Sequence, residues 1–236
     1  MTAPPLILGH RGSPRRAREN TIEAFALARE DGADGVELDV HRSADGALVV
    51  HHDAEIEGFG ILADHPHHEI SAAFPWLPTL PEVLDECLGL LVNIEIKNSP
   101  KDADFDPDEA VATAVVELLA SRAGTDHVLV SSFHLPTIDA VRALDPSIRT
   151  GYLTVLHPAP LDAVAVAVAR GHTAVHPFFG TLDAGSAPAV LDGAHASGVS
   201  VNTWTVNDPD DVVRLAAAGI DAIVTDVPAI ARAALM

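Results

Sequence analysis

The 236-residue chain predicts a closed (β/α)₈ barrel with a small insertion after its second strand. Three observations carry that expectation. Short β-rich runs alternate with amphipathic helical stretches from end to end, which implies parallel strands joined by right-handed crossovers. Eight strand runs fit the length of one such barrel, and residues 1–236 read as a single barrel domain. One segment, about 42–78, departs from the rhythm. An open doubly wound sheet is the competing arrangement.

The strand runs are Leu6–His10, Gly35–His41, Leu91–Lys97, Val128–Ser132, Thr150–Val155, Ala174–Pro177, Val199–Val206 and Ala222–Thr225. Helical periodicity covers Asn20–Glu30, Thr79–Cys87, Pro107–Ser121, Pro136–Ala143, Leu161–Arg170, Ala187–Ser197 and Pro209–Ala218. Asn20 with Glu23, Thr79 with Glu82 and Asp106 with Glu109 have the spacing of capping boxes, which satisfy orphan N–H groups of a first helical turn. Gly32, Gly171, Gly198 and Gly219 follow helices and suit C-terminal stops. Within the departing segment, Asp45-Gly46 is a hairpin signal leading to a strand at Ala47–His51. The stretch from Asp53 to Pro78 reads as irregular.

Composition narrows the function. The formal net charge is −20, with 34 acidic against 14 basic side chains. Phosphate backbones and anionic membranes call for a basic surface, so neither nucleic acid nor a membrane is an expected partner. One cysteine, Cys87, cannot make an internal disulfide, and it is expected to pack in a helix. There is no basic n-region at the start and no apolar run of membrane-spanning length. The expectation is a soluble protein of the reducing cytoplasm.

Two strands violate the apolar rule for barrel interiors. In Val36-Glu37-Leu38-Asp39-Val40, the carboxylates share one face and the aliphatic residues the other. In Asn93-Ile94-Glu95-Ile96-Lys97, Asn93, Glu95 and Lys97 share a face. Charged groups are seldom buried unless paired or ligating. Pointed into a barrel, Glu37, Asp39 and Glu95 converge, and their repulsion calls for a hard divalent cation, Mg²⁺ or Ca²⁺. The alternative is a structural Glu95–Lys97 ion pair with Glu37 and Asp39 solvated.

Gly9-His10-Arg11-Gly12 ends the first strand, where barrel active sites are built. A planar guanidinium at Arg11 suits a phosphate oxygen, and His10 suits acid–base work. A two-residue hairpin loop would set Asp39 opposite His52, and a bulged turn would shift that by one residue. His51, His52 and Asp53 return to the mouth in either case, with His52 the expected participant. Trp204 stands at the mouth to pack against the carbon part of a substrate. Ser131-Ser132-Phe133-His134 is a weaker candidate for the pocket lining. His65, His67 and His68 lack the spacing of a zinc site and read as a solvated loop.

Together these residues resemble the glycerophosphodiester phosphodiesterase family. The resemblance runs through Gly9-His10-Arg11-Gly12, Glu19-Asn20-Thr21, the Gly32–Val40 run, Asp45-Gly46, Val49-Val50-His51-His52-Asp53, Pro78-Thr79-Leu80, Asn93–Lys97, Ser131-Ser132-Phe133, Trp204-Thr205-Val206-Asn207 and Thr225-Asp226-Val227-Pro228. It implies a TIM barrel with an insertion after the second strand. It implies a divalent metal on Glu37, Asp39 and Glu95, with His10 and His52 as general acid and base. Arg11 and Lys97 would hold the phosphate. The implied reaction cleaves a small-molecule glycerophosphodiester to sn-glycerol 3-phosphate and an alcohol, the nucleophile being water or the neighbouring glycerol hydroxyl. Arg18 stands where the family often has proline, and the segment after His52-Asp53 is short. The rival reading on the same fold is a phospholipase D-like or lysophospholipase D activity, with Ile56, Phe59, Ile61, Phe74 and Trp76 offering an acyl groove. A zinc amidohydrolase would want His-x-His after the first strand, where Arg11 and Gly12 follow His10 instead.

Overall fold

A computed structural model describes residues 4–122 and 127–236. The chain order is β1 (Leu6–His10), α1 (Ile22–Glu30), β2 (Gly35–Arg42), β3 (Leu48–Val50), β4 (Glu55–Ile56), β5 (Gly60–Ile61), α2 (His67–Ala73), α3 (Leu80–Glu86), β6 (Leu91–Ile96) and α4 (Ala110–Ser121). It continues with β7 (His127–Ser132), α5 (Leu135–Leu144), β8 (Thr150–Thr154), α6 (Pro160–Arg170), β9 (Ala174–Pro177), α7 (Ala187–Ala196), β10 (Ser200–Thr203), α8 (Pro209–Ala218), β11 (Ala222–Thr225) and α9 (Pro228–Ala234).

Strands β1, β2, β6, β7, β8, β9, β10 and β11 form one parallel cycle, closed because β1 pairs with both β11 and β2. This is a (β/α)₈ TIM barrel, and closure rules out the open sheet. The outward faces explain why the strands hold. Val36, Leu38, Val40, Ile94 and Ile96 are fully or almost fully buried and pack on helix residues including Phe25, Leu80 and Val115. Ile7, Val175, Val201 and Ile223 do the same with Ala163, Leu191 and Leu215 on the other half. Burial of this aliphatic shell is the main driving force for the fold, and it leaves the inward face free for polar residues. Among the described residues no helix is long and apolar enough to cross a membrane.

Several local expectations are corrected. Thr79 and Glu82 do form a capping box. Asn20 does not cap α1: Thr21 does, accepting the Ala24 N–H at 3.2 Å, which frees the Asn20 side chain for the barrel mouth. Pro107 and Asp106 precede α4, which starts at Ala110, and the Asp106 carboxylate instead accepts N–H groups from Asp108 and Ala110. The alanine-rich α9 was not anticipated; only Pro228 and Ala231 of it are buried, so its apolar stripe is faint.

The insertion is better ordered than its sequence suggests. It holds the β4–β5 hairpin and α2, which carries His67 and His68 in its first turn. Ile56, Phe59, Phe74 and Trp76 pack against Val49, Leu62, Ile70 and Leu77 as a small core. Ile56, Phe59 and Phe74 are occupied in this core, while Trp76 and Leu77 also line an open cleft with Arg18, His67 and Pro75. Cys87 is buried at the end of α3, and burial pushes its thiol up to about 12.

Candidate active site

The β2–β6 pairing brings the acidic residues together. Glu37 lies opposite Asn93 and Asp39 opposite Glu95, so in-register parallel strands stack these side chains on the inner face. Glu37, Asp39 and Glu95 are all buried, and one ligand oxygen from each lies within 4.8 Å of the others. Glu37 has the least compensation. Its Oε2 accepts the Arg11 backbone N–H at 3.1 Å. Burial and the neighbouring Asp39 charge push its pKa up to about 8. Asp39 differs: burial acts to raise its pKa, but Lys97 and Arg11 together hold it below the ordinary value. Arg11 Nε is 3.1 Å from Asp39 Oδ2, and Lys97 Nζ is 3.5 Å from Asp39 Oδ1 and 3.1 Å from Glu95 Oε1. The Glu95 pKa is raised, mainly by burial, with Lys97 opposing it. The Glu95–Lys97 pair foreseen as the bland alternative therefore exists, but within a buried cluster where acids outnumber adjacent cations.

Two histidines flank this cluster, each hydrogen-bonded to a carboxylate. His10 ends β1, with Nδ1 2.7 Å from Asp226 Oδ1. Burial alone would depress its pKa, but the Asp226 bond and the Glu37 charge raise it above the ordinary value. His52 Nδ1 lies 2.7 Å from Asp53 Oδ1. Its pKa is lowered, chiefly by burial, with Asp39 pulling the other way.

The hairpin register is shifted by one residue from the two-residue-loop expectation. Val40 faces Val50 and His41 faces Val49, and the His51 N–H donates to the Asp39 carbonyl at 3.1 Å. The turn is three residues long because Ser43 closes on Ala47 through both its main chain and its hydroxyl, with Gly46 at φ 90°. His51 then turns toward the insertion, its ring 6.1 Å from Trp76, while His52 stays within the electrostatic reach of Asp39.

Trp204 shares a small cavity with His10, Glu37, Asn93, Glu95 and His176. Its Nε1–H donates to the His176 carbonyl at 2.8 Å, which fixes the indole. Ser131 lies opposite Glu95 and Phe133 packs edge-on against Trp204, centroids 5.4 Å apart. His134 turns away, its Nδ1 3.3 Å from Glu109. His65 sits by Glu69 at 3.1 Å, and among the described residues only the Glu37, Asp39 and Glu95 set has the spacing to hold a metal ion.

Residues 10–230 match the Glycerophosphoryl diester phosphodiesterase family. The chain belongs to that family. It is 31% identical over 94% of both chains to the glycerophosphodiester phosphodiesterase of Caldanaerobacter subterraneus subsp. tengcongensis. The glycerophosphodiester phosphodiesterase of Bacillus altitudinis is 29% identical over 94% of both chains. In structure it is similar to the glycerophosphodiester phosphodiesterase of Thermotoga maritima, with TM-score 0.83, 28% identity and 98% of each chain covered. It is likewise similar to an Oleispira antarctica phosphodiesterase solved in complex with the product sn-glycerol-3-phosphate, with TM-score 0.84, 26% identity and coverage of 98% and 97%.

Within this member of the glycerophosphoryl diester phosphodiesterase family, several supporting side chains lay outside the sequence-based site. Asn207 Nδ2 donates to Asp226 Oδ2 at 2.7 Å, and the Asp226 N–H donates to Asn207 Oδ1 at 2.8 Å. Asn20 Nδ2 donates to Asp39 Oδ2 at 2.9 Å. His41 is buried, with Nδ1 2.6 Å from Asp104 and its Nε2–H donating to the His52 carbonyl at 3.2 Å. The signals available were the adjacency of Thr21 to Asn20, and the inward position of His41 two residues beyond Asp39. The donor set fits a hard cation on the structure's own terms. It offers three buried oxygen ligands, a Glu37 whose pKa burial and the adjacent Asp39 charge push up to about 8, and a neighbouring Asn93 whose buried Oδ1 has no partner.

Proposed function

We propose that this protein hydrolyses glycerophosphodiesters to sn-glycerol 3-phosphate and an alcohol, in a reaction that depends on a divalent cation, Mg²⁺ or Ca²⁺. The observation that carries the proposal is the acidic trio within 4.8 Å, set between two carboxylate-backed histidines. Family membership and the product named for the Oleispira antarctica structure support the substrate class.

Glu37, Asp39 and Glu95 would hold the cation, which when bound supplies positive charge to the phosphoryl oxygens. The remaining work falls to the chain itself. Arg11 and Lys97 keep fixed positive charge beside the cluster, against the background of a −20 molecule. Trp204, fixed through its indole N–H, presents an apolar wall for the glycerol carbons. One of His10 and His52 takes the proton of the attacking hydroxyl and the other gives a proton to the departing alkoxide. Asp226 and Asp53 orient the two rings for that exchange.

The direct test is glycerol 3-phosphate release from a panel of diesters, with and without chelator, and with Mg²⁺ or Ca²⁺ restored. Release that is abolished by chelator and recovered on adding either ion is the expected result. Full activity in chelator overturns the cation dependence.

A further inference from the structure

Acidic side chains outnumber basic ones by 34 to 14, yet four of the basic ones, Arg11, Arg15, Arg16 and Arg18, lie together in the loop from β1 to α1. Three of them face carboxylates: Arg11 meets Glu19 and Asp39, Arg15 meets Asp226, and Arg16 meets Glu30 and Asp31. Arg18 does not. Its guanidinium lies over the Trp76 ring, with Cζ 4.0 Å from the centroid, and among the described residues it has no ion pair or hydrogen bond. The indole holds the group in place while its N–H donors stay unclaimed.

Arg18 and Trp76 stand in the wall of an open cleft of about 600 Å³ between the start of α1 and the insertion, a volume suited to a small organic group. His67 and Ser71, one turn apart on α2, line it as well. Two routes join this cleft to the reaction site. Glu19 and Asn20, which follow Arg18 directly, bind Arg11 and Asp39. On the other side the Trp76 ring is 6.1 Å from that of His51, which adjoins His52. Trp204 follows β10, three strands round the barrel from β2, where the insertion departs. A diester with its glycerol on Trp204 and its phosphate over the acidic cluster sends its alcohol portion away from Trp204, toward this cleft.

The chemistry of the wall narrows the occupant. Glu23 and Glu82 also line the cleft, but Glu82 is engaged by the Thr79 N–H and hydroxyl at 2.8 and 2.7 Å, and Glu23 is exposed. The indole face that would attract a quaternary ammonium is covered by the guanidinium. What remains on offer is a planar fork of donors, matched to two oxygens of a carboxylate or a phosphate. Resting on the hydrolase reading above, we propose that this cleft receives the alcohol portion of the substrate, and that Arg18 selects alcohols carrying a second oxyanion. Trp76 is the positioning residue that holds the guanidinium flat. The bond cleaved is unchanged: the hydroxyl of water goes to phosphorus and its proton to the oxygen of the alcohol, which leaves with its own anionic group. A local cation at this point also draws in a doubly anionic diester against the field of a −20 molecule.

Two matched pairs of substrates separate the two oxyanions. Glycerophosphoserine and glycerophosphoethanolamine differ by one carboxylate, and glycerophosphoinositol 4-phosphate and glycerophosphoinositol differ by one phosphate. Glycerol 3-phosphate release by the full chain is measured in Mg²⁺ and in Ca²⁺. Wild type is expected to favour the member with the extra oxyanion in at least one pair by about tenfold or more in kcat/KM, and the pair favoured names the oxyanion. Arg18→Gln, at an exposed position, is expected to cut that preference to within about twofold while holding the other member within about threefold of wild type. Arg16→Gln removes the same charge from the same loop outside the cleft and is expected to keep the preference. No preference in wild type, a preference that survives Arg18→Gln, or one lost equally in Arg16→Gln overturns the proposal and leaves the hydrolase reading standing. Wild type that hydrolyses none of the four, nor glycerophosphocholine, overturns the hydrolase reading and the proposal with it.

Discussion

His10 Nδ1 lies 2.7 Å from Asp226 Oδ1, and Asn207 holds the other oxygen of the same carboxylate. The two residues are 216 positions apart and meet only because β1 and β11 are neighbours in the closed barrel. Asp226 is thereby fixed in orientation and kept ionised, its pKa held below the ordinary value by His10 and Asn207 against the effect of burial. Asp226→Asn keeps the shape but removes the charge behind the imidazole. We expect kcat to fall by about 100-fold with KM within about threefold. Steady-state kinetics checks this, and a kcat near wild type would remove Asp226 from the proton-transfer apparatus.

The two histidines should separate from cation binding. His10→Ala and His52→Ala are each expected to lower kcat by roughly 10²–10⁴, the usual worth of a general acid or base. Calorimetric titration with Mg²⁺ or Ca²⁺ should show the ion still bound. Turnover close to wild type in either variant would free that histidine of its assigned role.

Glu95 pairs in register with Asp39, and the Lys97 ammonium lies 3.1 Å from Glu95 Oε1 and 3.5 Å from Asp39 Oδ1. Glu95→Gln keeps the volume and deletes one anionic ligand. The cation concentration for half-maximal activity should rise by at least roughly tenfold, the scale set by loss of one carboxylate from a small oxygen site. An unchanged titration curve would show that Glu95 is not a ligand.

The stability gained on cation binding should depend on pH through Glu37. With its pKa raised to about 8, folded Glu37 holds a proton that the unfolded chain releases near 4.5. At this group the folded state therefore binds more protons across that window, and the Glu37 contribution to stability falls as pH rises through it. The raised pKa values of Glu95 and His10 act in the same sense, and the lowered pKa values of His52, His172 and His176, the last pushed down to about 3 by burial, act against them, so the gain on cation binding isolates the acidic cluster. The lowered Asp39 pKa acts below its ordinary value of 3.8, outside this range. Thermal unfolding should accordingly show a larger Tm gain from saturating Mg²⁺ at pH 8.5 than at pH 6. A gain that is equal or smaller at the higher pH contradicts the assignment of Glu37 as the under-compensated acid.

His41 and Asp104 form a buried pair, and His41 also carries the main chain of His52. Removing one partner leaves the other buried without compensation, at a cost of about 3 kcal/mol. His41→Phe should lower the unfolding free energy by roughly that amount and reduce kcat as well, measured by denaturant titration and by kinetics. A stable variant with unaltered kcat would show that the His52 carbonyl needs no such support.

Much of this site is legible along the chain because its residues sit on strands, where alternation alone says which side chains share a face. Glu37 with Asp39, and Asn93 with Glu95 and Lys97, declare themselves as polar residues on faces that a barrel interior should fill with aliphatics. The eight barrel strands and the Thr79–Glu82 cap follow from the same local rules. The supporting residues are a different matter. Asn20 looks like a helix cap until Thr21 takes that place, and Asp226 looks like loop punctuation until β11 closes on β1.

Local periodicity thus determined the fold class, the acidic strand faces and the two candidate histidines, since each is written within a few neighbouring residues. Tertiary structure alone decided that Asp226 backs His10 and that Asn20 meets Asp39. Those are distances between segments far apart in the chain, set by barrel closure and by packing of the outer aliphatic shell, and no local pattern encodes them.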